Sequence, residues 1–172
     1  RREIVIICGP MFSQKTLALI SRIKKAQYAG HKVLYINPAT NTRDDDVKSR
    51  DGLTAKCVKV PAERSEEILR QALDADVVAI DEAQFFDLGI VKVTEQLYAV
   101  GKRVLVACLD TDLLGRPFGP VPGLLALPEA EIVRRRAVCE LCKHENATRT
   151  DLKDKNRRAE FKSGKNPILP GD

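Results

Sequence analysis

The sequence predicts an α/β fold in which a mostly parallel β-sheet is flanked by helices. Continuous apolar, β-branched runs at 3–8 and 102–110 are typical of strands buried on both faces of a parallel sheet. Between these runs, strand-like segments alternate with segments whose apolar residues recur at helical spacing. Because parallel strands need crossover connections, this alternation favours right-handed strand–helix–strand units.

The composition fits one domain carrying a small appendage. The chain has 172 residues, of which 44% are hydrophobic and 31% charged, so wholesale disorder is excluded. No apolar run approaches the roughly 18–20 residues that span a bilayer, so no membrane partner is expected. The net charge of +5 is compatible with polyanionic ligands without demanding nucleic acid. Five cysteines, three of them in apolar strand-like runs, indicate a reducing, cytoplasmic location.

Further elements follow from local patterns along the chain. The first predicted helix follows residues 9–16, ends at Gly30 and carries Leu17, Ile20, Ile23 and Ala26 at helical spacing. The remaining predictions are strands at 31–38, 55–60 and 76–82, helices at 62–73 and about 88–100, and a mobile polar surface loop at 40–52. From about residue 137 the sequence becomes polar and basic, which divides the chain into a main domain (1–136) and an appended module (137–172).

The segment between the first strand and the first helix, G-P-M-F-S-Q-K-T, resembles a phosphate-binding loop. It matches the pattern G-x-x-x-x-G-K-[ST] at Gly9, Lys15 and Thr16. Backbone N–H groups of such a loop wrap a phosphate, the lysine faces the β/γ-phosphates, and the hydroxyl binds Mg²⁺. A chance match in a strand–helix turn is the alternative. The predicted ATP-binding residues of the loop are Gly9, Pro10, Met11, Phe12, Ser13, Gln14, Lys15 and Thr16.

Gln14 departs from this pattern, because it stands where the second glycine belongs. Glycine there lets the backbone approach phosphate and adopt any φ and ψ, so a side chain is expected to obstruct the site or strain the turn. Three outcomes remain open from the sequence: Gln14 weakens ATP binding, it marks an engineered or degenerate site, or a slight shift of the loop accommodates it.

A second motif, V-V-A-I-D-E, ends a buried strand in two acids. Asp81 falls at the carboxyl end of the strand, the sheet edge where open α/β sheets bind ligands, and is predicted to hold Mg²⁺ with Thr16. The adjacent Glu82 is a candidate general base. An ordinary strand end with solvated acids is the alternative. Together the two motifs predict a sheet of the phosphate-loop NTPase type.

Four segments resemble, in order and spacing, the cytosolic type II thymidine kinases: G-P-M-F-S-Q-K-T, D-E-A-Q-F-F, L-D-T-D-L-L-G-R-P-F-G and A-V-C-E-L-C. The resemblance covers Glu3 to Asp172. It implies phosphoryl transfer from Mg-ATP to the 5′-hydroxyl of thymidine, giving thymidine monophosphate for nucleotide salvage and DNA precursor synthesis. It also implies that Glu82 takes the hydroxyl proton and that Gln84 belongs to the nucleotide site.

The same resemblance implies an apolar thymine pocket and a mobile loop near the phosphates. The pocket residues are Met11, Phe85, Leu109, Leu113 and Phe118, with Leu113 where the family commonly has an aromatic residue; Phe86 and Leu105 are instead expected in the core. The loop carries N-T-R in place of the usual D-T-R. Asn41 keeps hydrogen-bonding capacity without the charge, and Arg43 is expected to reach the phosphates.

Cys139 and Cys142 have the spacing of one knuckle of a structural zinc site, which normally has four protein ligands. The resemblance implies a C-terminal zinc-binding lasso module with two knuckles, of which one is present in this sequence. His144 is an alternative ligand at poor spacing, and a redox C-x-x-C is the rival interpretation. The stretch Pro167, Ile168, Leu169, Pro170 and Gly171 is expected to hydrogen-bond the base, with Thr148 nearby.

The resemblance also implies a homotetramer and feedback inhibition by thymidine triphosphate. A function of another class remains open: a phosphate-loop ATPase or non-catalytic nucleotide-binding protein whose zinc module and arginines 134–136 contact nucleic acid. Aromatic residues that stack on bases are scarce in this region, so nucleic acid is not an expected partner.

Overall fold

The computed structural model of the chain describes residues 2–39 and 57–151. The predicted loop at 40–52, with Asn41 and Arg43, and the stretch 167–171 lie outside the described residues, as do residues 55–56 of a predicted strand. The described part of the chain alternates strands and helices. Its elements are β1 (Glu3–Gly9), α1 (Lys15–Tyr28), β2 (Val33–Pro38), β3 (Cys57–Val60), α2 (Glu67–Gln71), β4 (Val77–Ile80), a 3-10 turn (Ala83–Phe85), α3 (Gly89–Ala99), β5 (Arg103–Leu109), α4 (Val121–Leu125) and β6 (Ala130–Arg134).

The strands form one six-stranded sheet in the order β3-β2-β4-β5-β1-β6. All five pairings between these strands are parallel, which confirms the predicted parallel sheet. Strand β5 lies between β1 and β4. The carboxyl ends of β1 and β4, which the two sequence motifs follow, are therefore one strand apart on the same edge of the sheet.

The core lies on both faces of the sheet, as the continuous apolar runs predict. Alternate residues of β1 enter different clusters: Ile4 and Ile6 pack with α2, α3 and α4, whereas Val5 and Ile7 pack with α1. Because successive side chains of a strand point to opposite faces, a strand covered by helices on both sides must be apolar throughout. No helix among the described residues is long and apolar enough to span a membrane.

Two details differ from the sequence prediction. The helix predicted over 62–73 is confined to α2, because the preceding residues form turns and Ser65 donates its N–H to the Asp87 carboxylate at 3.1 Å. Leu17 is 61% exposed, whereas Leu19 and Ile23 form the buried face of α1. Two residues rotate a helix by about 200°, so Leu17 and Leu19 cannot share a face.

Helix α4 and strand β6 are absent from the elements predicted above. Strand β6 lies at the sheet edge and is half exposed, so its sequence lacks the apolar run that marks β1 and β5. The three cysteines placed in apolar runs are buried as expected, namely Cys8, Cys57 and Cys108.

Candidate active site

The predicted phosphate loop forms the turn between β1 and α1. Ser13 is buried inside it and donates its hydroxyl to the Pro10 carbonyl at 2.8 Å. The Gln14 carbonyl accepts the N–H of Ala18 at 3.0 Å and so begins α1. The loop is therefore a compact turn, closed by its own side chain, that leads directly into a helix N-terminus, where anions bind favourably.

At Gly9 the loop lies close to the chain that follows β6. A Cβ atom there would lie 2.5 Å from the Arg135 carbonyl oxygen and 2.9 Å from Ser13 Oγ. Because the first of these neighbours is backbone, it cannot move away cheaply. A side chain at residue 9 would displace the loop from the chain that follows β6.

Gln14 has the left-handed conformation expected for the missing glycine, with φ 60° and ψ 32°. Its side chain is exposed, and its Oε1 accepts a long hydrogen bond from Arg135 Nη2 at 3.5 Å. Phe12 also has a φ of 60° and is 85% exposed. The loop thus contains two residues that are not glycine in a backbone conformation that favours glycine.

Lys15 bends back over the loop at the start of α1. Its Nζ donates to the Pro10 carbonyl at 2.6 Å and to Ser13 Oγ at 3.4 Å. Burial lowers the pKa of this ammonium, while the nearby charges of Glu82 and Asp81 act in the opposite direction. Charges of the second sequence motif therefore act on Lys15, which belongs to the first.

Asp81, which follows β4, is buried and held by several donors. It accepts the Tyr35 hydroxyl at 3.1 Å and the N–H of Glu82 at 2.9 Å, and it also hydrogen-bonds the side chain of Thr16. Burial, followed by the charge of Glu82, raises the pKa of Asp81 to about 6, although these hydrogen bonds oppose the rise. The predicted Mg²⁺ pair, Thr16 and Asp81, is thus in contact.

Glu82 is half-buried and has a left-handed backbone conformation, with φ 52°. Its carboxylate accepts a short hydrogen bond from the side-chain amide of Gln84, which is itself 2% exposed. The other end of that amide accepts the backbone N–H of Leu109 at 3.0 Å. Gln84 therefore fixes the Glu82 carboxylate against the end of β5.

The side chains named for the thymine pocket are buried or half-buried, and two of them are in contact. The rings of Phe85 and Phe118 meet edge to face, with centroids 5.7 Å apart and planes at 88°. Leu109 and Leu113 are buried, and Met11 is half-buried. Both phenylalanines keep some exposure, whereas Phe86 is buried in the core as the sequence analysis expected.

The chain is similar in sequence to known proteins over most of its length. The family profile described as Thymidine kinase matches residues 2–167. The chain belongs to the thymidine kinase family. A thymidine kinase of Bacteroides thetaiotaomicron is 44% identical over 83% of this chain and 71% of its own length, and one of Rhodothermus sp. is 43% identical over 81% and 65%. AMPPCP-bound DnaA from Aquifex aeolicus, 16% identical, shares the fold alone, with a TM-score of 0.50 over 78% of this chain and 41% of that one.

In this member of the thymidine kinase family, the segment after the cysteine pair reaches the phosphate loop. The N–H of Met11 donates to Thr150 Oγ1 at 2.9 Å, although the two residues are 139 positions apart. Thr148, which the sequence analysis placed near the base, is exposed. The contact of Thr150 with the loop was not predicted from the sequence, because it joins residues that are far apart along the chain.

Asp110 is a site residue that the sequence analysis missed. It follows β5 as Asp81 follows β4, and its charge acts on Lys15. Arg134 Nη1 lies 3.9 Å from Asp110 Oδ2. The signal was present in V-A-C-L-D, an apolar strand ending in an acid, which repeats the pattern of V-V-A-I-D.

The cysteine pair lies in a short hairpin closed by an antiparallel bridge between Ala137 and Ala147. The Cys139 N–H donates to the His144 carbonyl at 2.8 Å. Hydrogen bonds from the backbone N–H groups of Cys142 and Leu141 lower the pKa of the Cys139 thiol. A thiol with a lowered pKa close to a second thiol fits half of a zinc site; within residues 2–39 and 57–151 no group of three or more metal-binding side chains occurs.

Two of the three arginines considered for nucleic-acid binding are engaged at the site instead. Arg134 lies against Asp110, and Arg135 donates its Nε to the Ser13 carbonyl at 3.3 Å. Arg136 is exposed. Arg134 and Arg135 therefore make contacts within the chain, whereas Arg136 faces solvent.

Proposed function

We propose that this chain transfers the γ-phosphoryl group of Mg-ATP to the 5′-hydroxyl of thymidine, giving thymidine monophosphate. The observation that carries the proposal is the meeting of Lys15 and Thr16 with Asp81 and Glu82 at the carboxyl edge of the sheet. Phosphoryl transfer needs positive charge, a metal and a proton acceptor in one place. Membership of the thymidine kinase family supplies the nature of the acceptor.

The nucleotide is expected to bind at the loop from Gly9 to Thr16. On binding, phosphate oxygens replace the Pro10 carbonyl and Ser13 hydroxyl as partners of Lys15 Nζ. Thr16 and Asp81 are the residues that fit the metal, because a hydroxyl and a carboxylate already meet there. Mg²⁺ bound with ATP offsets charge on the β- and γ-phosphate oxygens.

Glu82 is the proposed general base. Its carboxylate takes the proton of the 5′-hydroxyl as that oxygen forms a bond to the γ-phosphorus and the bond from phosphorus to the ADP oxygen breaks. Gln84 orients the carboxylate by donating to one of its oxygens. Holding the acceptor in position in this way is the main contribution of a protein to phosphoryl transfer.

The thymine ring is expected to bind among Met11, Phe85, Leu109, Leu113 and Phe118. The rings of Phe85 and Phe118 already meet edge to face, so a flat base buried against them gains affinity through apolar area and aromatic contact. Thr148 and the backbone of 167–171 remain proposed base contacts from the appended module, and Asn41 and Arg43 remain proposed phosphate contacts.

Further properties of the family belong to the same proposal. These are a structural zinc ion at Cys139 and Cys142, feedback inhibition by thymidine triphosphate, a homotetramer, and a cytoplasmic role in nucleotide salvage. The lowered pKa of Cys139 supports the zinc assignment, since zinc binds thiolate.

The decisive experiment follows the γ-phosphate of labelled ATP, with and without thymidine, in the presence of Mg²⁺. Label recovered in thymidine monophosphate supports the proposal. Label released only as inorganic phosphate, at a rate that thymidine leaves unchanged, would indicate the ATPase alternative. Retention of all label in ATP, together with no measurable ATP binding, would contradict the assignment of the nucleotide site.

A further inference from the structure

The loop residue that departs from the phosphate-loop pattern is paired with a residue 121 positions away. We infer that Arg135 is a positioning residue for the phosphate loop and compensates for the side chain of Gln14, which stands where the pattern has glycine. The inference rests on the proposed function, because it concerns the binding of ATP by this loop.

The backbone of Arg135 lies against the loop independently of its side chain. Its N–H donates to the Cys8 carbonyl at 2.7 Å, and its own carbonyl oxygen lies 2.5 Å from the place that a Cβ of Gly9 would occupy. Arg135 therefore continues the parallel pairing of β6 with β1 and ends beside the first loop residue. From this position the side chain spans the loop.

The Arg135 guanidinium makes two contacts with the loop, at Ser13 and at Gln14. Nε donates to the Ser13 carbonyl at 3.3 Å, and Nη2 donates to Gln14 Oε1 at 3.5 Å. The planar fork of arginine is suited to two acceptors side by side. Both distances are at the long end for hydrogen bonds and the second is exposed, so a modest effect is expected.

The physical role follows from the conformation of Gln14. Its φ of 60° is already left-handed, so the backbone strain is borne on folding rather than on ATP binding. The remaining obstacle to ATP binding is the Gln14 side chain, because Gln14 directly precedes Lys15 at the N-terminus of α1. By holding the Gln14 amide, Arg135 keeps that side chain on the Arg135 side of the loop and away from the space where phosphate is expected.

This role requires coupling between the two residues. Without the guanidinium, the Gln14 side chain is free to occupy the space where phosphate is expected. Displacing it then reduces the binding free energy of ATP. With glycine at residue 14 there is no side chain to hold. Loss of the Arg135 fork should therefore weaken ATP binding about three- to tenfold when Gln14 is present and less than about twofold when it is absent.

The test is a double-mutant cycle on the full chain, comprising wild type, Gln14→Gly, Arg135→Met and the double variant. Methionine keeps the apolar stem and removes every donor. The Kd for Mg-ATP and the Kd for thymidine are measured by titration calorimetry, and Tm is measured for each protein. Arg136→Met, an exposed neighbour on the same segment, is the matched control.

The expected result is a loss of ATP affinity in Arg135→Met that Gln14→Gly removes, with an unchanged Kd for thymidine. Equal loss with and without Gln14 would overturn the inference, because Arg135 would then act on ATP or on the Ser13 carbonyl independently of Gln14. No loss in either background would also overturn it. If Arg135→Met does not fold, Arg135→Lys, which keeps the charge and loses the fork, carries the same comparison.

Failure of the inference is distinct from failure of the proposed function. If the wild-type protein phosphorylates thymidine but the cycle shows no coupling between Gln14 and Arg135, only the role of Arg135 is contradicted. A wild-type protein that binds no ATP contradicts the proposed nucleotide site and the inference with it.

Discussion

At the scale of single residues, backbone strain is concentrated at the candidate site. In the described part of the chain, the residues other than glycine with positive φ are Phe12, Gln14, Glu82 and Lys143. Two of these lie in the phosphate loop, one is the proposed base, and one lies in the cysteine hairpin. Each such residue costs about 1–3 kcal/mol and persists only where surrounding contacts enforce it. The Glu82 conformation turns the chain directly after Asp81, so that successive acids point in different directions.

Replacing Gln14 by glycine should stabilise the folded protein. Relief of the left-handed conformation outweighs the larger unfolded-state entropy of glycine, so we expect a gain of about 0.5–1 kcal/mol in the free energy of unfolding. Urea unfolding measures it. Leu17→Gly, at an exposed position in α1, is the control and should lose about 1 kcal/mol. A Gln14→Gly protein destabilised as much as this control would contradict the strain argument.

Replacing Glu82 by glutamine should abolish phosphoryl transfer while thymidine still binds. Glutamine keeps the size of the side chain and removes the proton acceptor, a loss that typically costs about 10²- to 10⁴-fold in rate. The measurements are turnover and the Kd for thymidine, with the exposed Glu66→Gln as a control. A variant that retained more than about half of wild-type turnover would remove Glu82 from the mechanism.

At the scale of elements, an acidic residue directly follows each of β4 and β5 at the carboxyl edge of the sheet. Asp81 is 4% exposed, so its burial is a cost that a purely structural strand end would not carry. Tyr35 from β2 and Thr16 from α1 offset part of this cost by hydrogen bonding. Three elements thus cooperate to keep one carboxylate buried at the edge where the metal is proposed to bind.

This burial should make the stability of the metal-free protein depend on pH. The pKa of Asp81 rises from 3.8 to about 6 on folding, so its stabilising contribution is full below about pH 4 and is lost as pH rises through 6. The loss is on the order of 3 kcal/mol by pH 7. The free energy of unfolding is measured in urea at pH 4 and pH 7. The value for Asp81→Asn relative to wild type should be higher at pH 7 than at pH 4.

The control for this pH experiment is Glu129→Gln, a change at an exposed acid. Its difference from wild type should stay constant between the two pH values. If the difference for Asp81→Asn is equally constant, the burial of Asp81 does not govern its titration.

At the scale of the whole molecule, the appended segment is joined to the main domain through the phosphate loop. The composition places a boundary between 136 and 137, yet Thr150 beyond it accepts the N–H of Met11, and Arg135 just before it donates to the Ser13 carbonyl. The cysteine hairpin lies between these two attachments. Anything that orders the hairpin is therefore expected to order the loop as well.

Zinc is the proposed ordering ion, and purified full-length protein should contain about one zinc per chain. Elemental analysis measures the ratio. Cys142→Ser should lose the metal because it removes a thiolate, whereas His144→Ala should keep it because His144 contributes its backbone carbonyl to the hairpin. Freshly purified protein that contains no zinc while both cysteines are reduced would contradict the proposal.

The sequence by itself determined the features that depend on neighbouring residues. The apolar runs of β1 and β5, the loop between β1 and α1, and the strand ending at Asp81 are local patterns, and the structure contains each of them. Family membership also follows from such motifs, as the match over residues 2–167 confirms. The periodicity of a strand and the order of a motif are properties of the chain that no distant contact needs to supply.

Only the tertiary structure decided which distant residues meet. Arg135 reaches Gln14 across 121 positions, and Thr150 reaches Met11 across 139. Strand β6 is held by its place beside β1 more than by its own half-exposed sequence, which is why the pattern alone marked it weakly. Such contacts depend on how the sheet is ordered and how long each connection is, and these are set by packing of the whole chain rather than by any local preference.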